Sequence, residues 1–158
     1  MKKQLTGLCL ILMVGISACK KDNQEAIDTE YPVINVTGTT AFPKQCSTVK
    51  RGEKFLFQAQ LSDNSQLGSV SVDIHHNFDH HTHSTEVESC AMDAIKTPVK
   101  PFLFIQSYSI PAESKSYEVK QEITVPSDID AGDYHFMIRL TDKEGWQTIK
   151  GLSIKIAS

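Results

Sequence analysis

Short segments in which apolar and polar residues alternate recur from residue 31 to the end, and this period-two pattern constrains the fold more than any other feature. The runs are Tyr31–Thr37 with Val33 after Pro32; Phe55, Phe57, Ala59 and Leu61; Val70, Val72 and Ile74; Phe102–Ile110; Tyr117, Val119, Ile123 and Val125; Tyr134, Phe136, Ile138 and Leu140; and Leu152, Ile154 and Ile156. Alternation over such lengths is what a strand with one face in a core requires. Turn residues separate the runs, as in Ser62-Asp63-Asn64-Ser65, Asp130-Ala131-Gly132-Asp133 and Asp142-Lys143-Glu144-Gly145. No segment sustains a 3.6-residue period. The expectation is an all-β sandwich of about seven strands over residues 31–158.

Two local features favour an immunoglobulin-like or fibronectin-like form. Gly132-Asp133-Tyr134 fits a tyrosine corner at the start of the sixth run, and Leu140–Trp146 fits the tight hairpin joining the last two strands. The antibody-type signature is absent, because the one tryptophan, Trp146, lies in that hairpin. The 158 residues suffice for one domain. With 16 basic and 19 acidic residues, the chain has no cationic excess to draw it to nucleic acid.

The N-terminal residues read as an export signal. Met1-Lys2-Lys3 is a short cationic start, and Leu5–Ile16 is an apolar run too short to be a permanent membrane span. Residues 1–18 then form a lipoprotein signal peptide, because Ile16-Ser17-Ala18-Cys19 resembles a bacterial lipobox. Acyl chains on Cys19 would anchor the mature chain to a membrane, each buried methylene contributing about 0.8 kcal/mol. Residues 19–30 are polar and aperiodic, as a flexible tether would be. This implies a cell-envelope, outer-membrane lipoprotein that is surface-exposed or periplasmic, with the membrane and an outer-membrane or surface protein as expected partners.

Cys9 leaves with the signal and Cys19 takes the lipid, so Cys46 and Cys90 remain. In an exported chain an even pair is expected to be oxidised. Closing a loop of about 45 residues would contribute about 4 kcal/mol in the chain-entropy picture. A competing reading makes Cys90 a thiolate metal ligand.

The chemistry-bearing segment is His75-His76-Asn77-Phe78-Asp79-His80-His81-Thr82-His83, which holds five of the six histidines. Neutral imidazole is the commonest ligand for zinc and copper, and a carboxylate such as Asp79 can either ligate or orient a ring. His80, His81 and His83 are neighbours by sequence. His81 and His83, two apart, share a face on an extended chain, and a turn at residues 77–79 could fold His75 or His76 towards them. His135 is the sixth candidate. The third and sixth runs are antiparallel neighbours in an immunoglobulin-like sandwich. Inward Ile74 and Phe136 then turn His75 and His135 to the same outer face, at a cross-strand separation of about 5 Å. Zinc is favoured because His and Asp suffice for it, with copper as the alternative. Met92 and Met137 are soft residues nearby. Asp63, Asn64, Asp142 and Glu144 are explained by turn chemistry without calcium, and Asn35-Val36-Thr37 fits a glycosylation pattern.

The lipobox, Leu61-Ser62-Asp63-Asn64, the run from Val72 to His83 and Gly132-Asp133-Tyr134-His135 together resemble a family of Bacteroidetes envelope lipoproteins of unknown function. The resemblance implies an immunoglobulin-like, membrane-anchored domain and supplies no activity. Two functions therefore compete: a metal-binding lipoprotein, and an interaction module of a surface complex whose histidines are incidental. An enzyme is not expected. The sequence carries no nucleophile–base pair, phosphate loop or zinc-protease motif. A copper–zinc dismutase-like site would spread its ligands over distant strands.

Overall fold

A computed structural model describes residues 27–83 and 90–158. The signal peptide, the lipobox and most of the tether lie outside the described residues. Among the described residues there is no helix, and the strands are β1 (Val33–Asn35), β2 (Ser47–Lys50), β3 (Lys54–Ser62), β4 (Leu67–His76), β5 (Phe104–Ser109), β6 (Ser116–Thr124), β7 (Gly132–Asp142) and β8 (Gln147–Ala157). They form a three-stranded sheet, β1-β3-β6, and a five-stranded sheet, β2-β8-β7-β4-β5. The two sheets pack face to face as an immunoglobulin-like β-sandwich.

The alternating residues account for the core. Val70, Val72 and Ile74 of β4 and Tyr134, Phe136, Ile138 and Leu140 of β7 turn inward and are inaccessible to solvent. They meet Phe57, Ala59 and Leu61 of β3 and Val119 and Ile123 of β6. The Phe57 and Phe136 rings, one from each sheet, lie 5.2 Å apart between centroids. Burying each such side chain contributes about 1.5–3 kcal/mol.

Two elements depart from the sequence pattern. β2 has no counterpart among the seven runs because Val49 is its one buried residue. It is held instead by parallel pairing with β8, in the register Ser47↔Ile154 to Lys50↔Ala157. The run at 102–110, the most continuously apolar, becomes the edge strand β5, and Leu103 and Ile105 remain largely exposed.

β4 and β7 pair antiparallel from Leu67↔Asp142 to His76↔Tyr134, with His75 directly opposite His135. The end of β7 that carries His135 is fixed by the tyrosine corner. The buried Tyr134 hydroxyl donates to the Asp130 carbonyl at 2.7 Å and accepts from the Phe102 amide at 3.1 Å. Burial pushes the phenol pKa up, so the donor remains protonated across the physiological range. Tyr134→Phe leaves the buried Phe102 amide and the half-buried Asp130 carbonyl without this partner and should lower stability by about 1–3 kcal/mol. The expected result is a lower urea midpoint at unchanged slope, and an unchanged midpoint would contradict the corner's role.

Candidate metal centre

The site begins with the sheet. Inward Ile74 and Phe136 force His75 and His135 onto the outer face of the five-stranded sheet, with ring centroids 5.3 Å apart. The chain after β4 then folds back over this face. The Asn77 amide donates to the Asp133 carbonyl at 2.8 Å, and His80 reverses the chain with a left-handed φ of 59°. Histidine is among the residues that tolerate this region. The return carries His81 and His83 above the sheet. His135, outward on its strand, is fully buried beneath them.

The return is pinned by Phe78, which is 2% exposed. Its ring lies edge-on to Tyr134 at 5.2 Å, and the Lys96 ammonium sits 4.3 Å from its centroid. Gly132 makes room for it, since a Cβ there would lie 3.0 Å from the Phe78 ring, and its φ of +135° disfavours any side chain. The segment from Cys90 to Lys96 covers the return. The Lys96 amide donates to the Phe78 carbonyl at 3.1 Å, and the Asp93 amide donates to the Asp133 carboxylate at 2.7 Å. That segment is tied to the start of β2 by the Cys46–Cys90 disulfide, with Cα atoms 5.5 Å apart. The disulfide removes Cys90 from the candidate metal ligands.

His75, His81, His83 and His135 each present a ring nitrogen, and these four nitrogens lie within 4.8 Å of one another. Centroids of all pairs among the four rings are 4.6–5.7 Å apart. The partners of the rings set their tautomers. His75 Nδ1 lies 2.7 Å from the Asp73 carboxylate and His81 Nδ1 lies 2.6 Å from the Asp79 carboxylate. Each Nδ1 therefore carries the proton, and each neutral ring keeps its lone pair on Nε2. His135 Nε2 lies 3.1 Å from the His81 carbonyl. The hydrogen bond from His81 holds the Asp79 carboxyl below the usual carboxylate range. His75 Nε2 and His83 Nε2 are 3.2 Å apart, close to the edge of about 3.3 Å that two nitrogens span on a tetrahedral ion with 2.0–2.1 Å bonds.

Other sequence candidates fall elsewhere. His80 Nε2 bonds the Asp93 carbonyl at 2.9 Å and serves the loop. His76 packs on Phe78, with centroids 5.0 Å apart, and its buried Nδ1 has no hydrogen-bond partner among the described residues. Asp79 orients His81, and Met92 accepts from the Asn77 amide group at 3.8 Å. Met137, with His75, His83 and Arg139, lines an adjoining cavity of about 300 Å³. Asp73 was not among the sequence candidates. Its signal was present, two residues before His75 on the same strand face, but a serine or threonine there would have looked equally ordinary.

The arrangement could hold a divalent metal: four imidazoles offer one ring nitrogen each, and two carboxylates stand behind the rings of His75 and His81. Carboxylates bonded to the far nitrogen of ligating histidines raise ligand basicity and fix ring orientation.

The fold and site thus define a single immunoglobulin-like β-sandwich with a clustered four-histidine face. Residues 17–157 match the family described as a domain of unknown function, DUF4625, and the chain belongs to that family. No curated protein matches. Among solved structures, the chain is similar to a GspB Siglec domain at 23% identity and TM-score 0.42, covering 82% of this chain and 59% of that one. It is also similar to Spo0M, a sporulation control protein from Bacillus subtilis, at 9% identity and TM-score 0.42, covering 81% and 49%. The chain spans less than two thirds of either.

The pinning role of Phe78 is testable without metal. Phe78→Ala should lower stability by about 3–5 kcal/mol and speed hydrogen exchange at the His80 and Lys96 amides, which the fold-back holds. Unaltered exchange at both amides would show that the return is held by something else.

Proposed function

We propose that this chain is an envelope-anchored lipoprotein, tethered through acylated Cys19, that captures a divalent transition metal, zinc in preference to copper. The observation that carries the reading is the convergence of His75, His81, His83 and His135 within 4.8 Å. The carboxylates of Asp73 and Asp79 support it by turning the Nε2 lone pairs of His75 and His81 away from themselves. Catalytic zinc sites usually keep three protein ligands and one open position, whereas four protein ligands close a tetrahedral ion. The role that fits is holding, buffering or handing on the ion rather than turning over a substrate. Zinc has no geometric preference against a tetrahedron of imidazoles, while copper(II) favours a flatter arrangement.

Chain purified without a metal-affinity step should bind one zinc ion. Asp73→Ala should weaken binding by about 10–100-fold, and His135→Ala by more, because it removes a ligand rather than an orienting group. A peptide of residues 75–83 should bind more weakly than the folded chain, since it lacks the sheet, Asp73 and His135. Equal affinity of peptide, His135→Ala and parent would mean that the segment is a flexible chelator, and the interaction-module reading would replace this one.

Ligating imidazole must be neutral, so protons compete with the ion. Binding measured by chelator competition should be full at about pH 7.5 and collapse by about pH 5, as protons displace the ion from imidazole. Retention of zinc at the acidic end would exclude imidazole as the main ligand. For the anchor, Cys19→Ala should release the protein from the membrane fraction, and equal retention would contradict lipidation.

A further inference from the structure

We propose that Asp28, Asp63 and Asp142 form a calcium site at the pole of the sandwich opposite the histidines. It rests on different residues from the histidine site and stands or falls independently of it.

Three separate parts of the chain meet there. Asp63 lies in the turn between β3 and β4, Asp142 ends β7, and Asp28 precedes β1. Gly68 permits the approach of the turn to the hairpin, because a Cβ there would lie 2.6 Å from the Asp142 carbonyl oxygen. The Lys143 amide then bonds the Gln66 carbonyl at 2.9 Å. Asp28 is drawn in by Trp146, whose indole N–H donates to the Asp28 carbonyl at 2.9 Å, and by the Asn64 side chain, which donates to its carboxylate at 2.9 Å.

Turn chemistry accounts for only one oxygen of each carboxylate. Asp63 Oδ1 accepts from the Ser65 and Gln66 amides at 2.8 and 2.7 Å. Asp142 Oδ1 accepts from the Gly145 and Trp146 amides at 2.6 and 2.7 Å. Asp28 Oδ1 accepts from the Glu30 amide at 3.0 Å as well as from Asn64. In all three residues the other oxygen, Oδ2, is shielded from solvent and has no hydrogen-bond partner among the described residues. Asp142 is itself only 4% exposed.

A carboxylate oxygen from each residue lies within 4.8 Å of those of the other two. Among the described residues no lysine or arginine forms an ion pair with any of the three; the Lys115 ammonium, which donates to the Asn64 carbonyl at 3.0 Å, acts on Asp28 only through space. Buried, unpartnered carboxylate oxygens crowded together are costly unless a cation neutralises them. The donor set is all oxygen and selects a hard ion. Oxygens on one calcium ion, bonded at 2.3–2.6 Å, lie up to about 5 Å apart, which accommodates the observed spread. Magnesium, at 2.0–2.1 Å and nearly ideal octahedral, accommodates less. Calcium would join the segment entering the domain to both turns at that pole, setting the angle at which the domain leaves its tether.

Trp146 is the one tryptophan of the chain and contacts Asp28 directly, so its fluorescence reports on the site. Full chain in detergent, stripped with a chelator, is titrated with calcium chloride, with terbium as a luminescent stand-in excited through Trp146. The expected result is a saturable, one-to-one change with a midpoint of about 10⁻⁴–10⁻³ M, as in extracellular calcium modules. Asp28→Asn keeps Oδ1 as an acceptor and lies outside the core, so it should fold normally while shifting the midpoint at least roughly tenfold, as expected for loss of one charged ligand. An absent response, or the same midpoint in the variant, would overturn the proposal. An equal response to magnesium would overturn the assignment to calcium.

Discussion

The register between β4 and β7 carries both the core and the candidate metal centre. Val72↔Ile138 and Ile74↔Phe136 face inward together, and the alternation of a strand leaves Asp73↔Met137 and His75↔His135 facing outward together. A slip of one residue would expose Ile74 and bury His75 without a partner, so the apolar contacts enforce the polar arrangement. The histidine pair therefore needs no stabilising interaction of its own to stay aligned. It is a by-product of burying the residues on either side of it.

The second half of the site comes from a loop, and loops need anchors. Phe78 in the core, Gly132 beneath it, the Cys90–Lys96 segment above it and the disulfide behind that segment hold residues 77–83 against the sheet. His80, the residue with a left-handed backbone, bonds a carbonyl and faces the loop rather than the cluster. A division of labour follows within one histidine-rich stretch. Some rings build the return, and others are delivered by it. The acidic cluster sits at the far end of the same two strands, roughly 25 Å away at about 3.3 Å per residue. Asp28 and β1, the first described parts of the chain, lie at that acidic end.

Much of this was legible in the sequence because strand alternation and strand pairing are local and periodic. The β-sandwich, the tyrosine corner and the adjacency of His75 and His135 follow from a period of two and a common topology, and the disulfide from an even cysteine pair in an exported chain. What escaped was non-local or too short. β2 buries a single valine, so its pairing with β8 leaves almost no periodic trace. The burial of His135 depends on a fold-back whose direction is set by contacts with residues from Cys90 to Lys96 and Gly132, none of which is marked in the local sequence. Which of the five clustered histidines converge could not be read from spacing, because the turn at Asn77–His80 rotates successive rings to different sides. Asp28 lay in a stretch that reads as tether, and its meeting with Asp63 and Asp142 is visible only once the strands place both turns at one pole.

Four imidazoles, held by the β4–β7 register and one pinned loop, are proposed to enclose a single ion. X-ray absorption at the zinc edge of the loaded chain tests it most directly. The account predicts a four-coordinate shell of nitrogen at about 2.0–2.1 Å with the outer-shell pattern of several imidazole rings. A six-coordinate shell dominated by oxygen, with one or two imidazoles, would show an ion resting on the surface of the histidine segment and would contradict a built site.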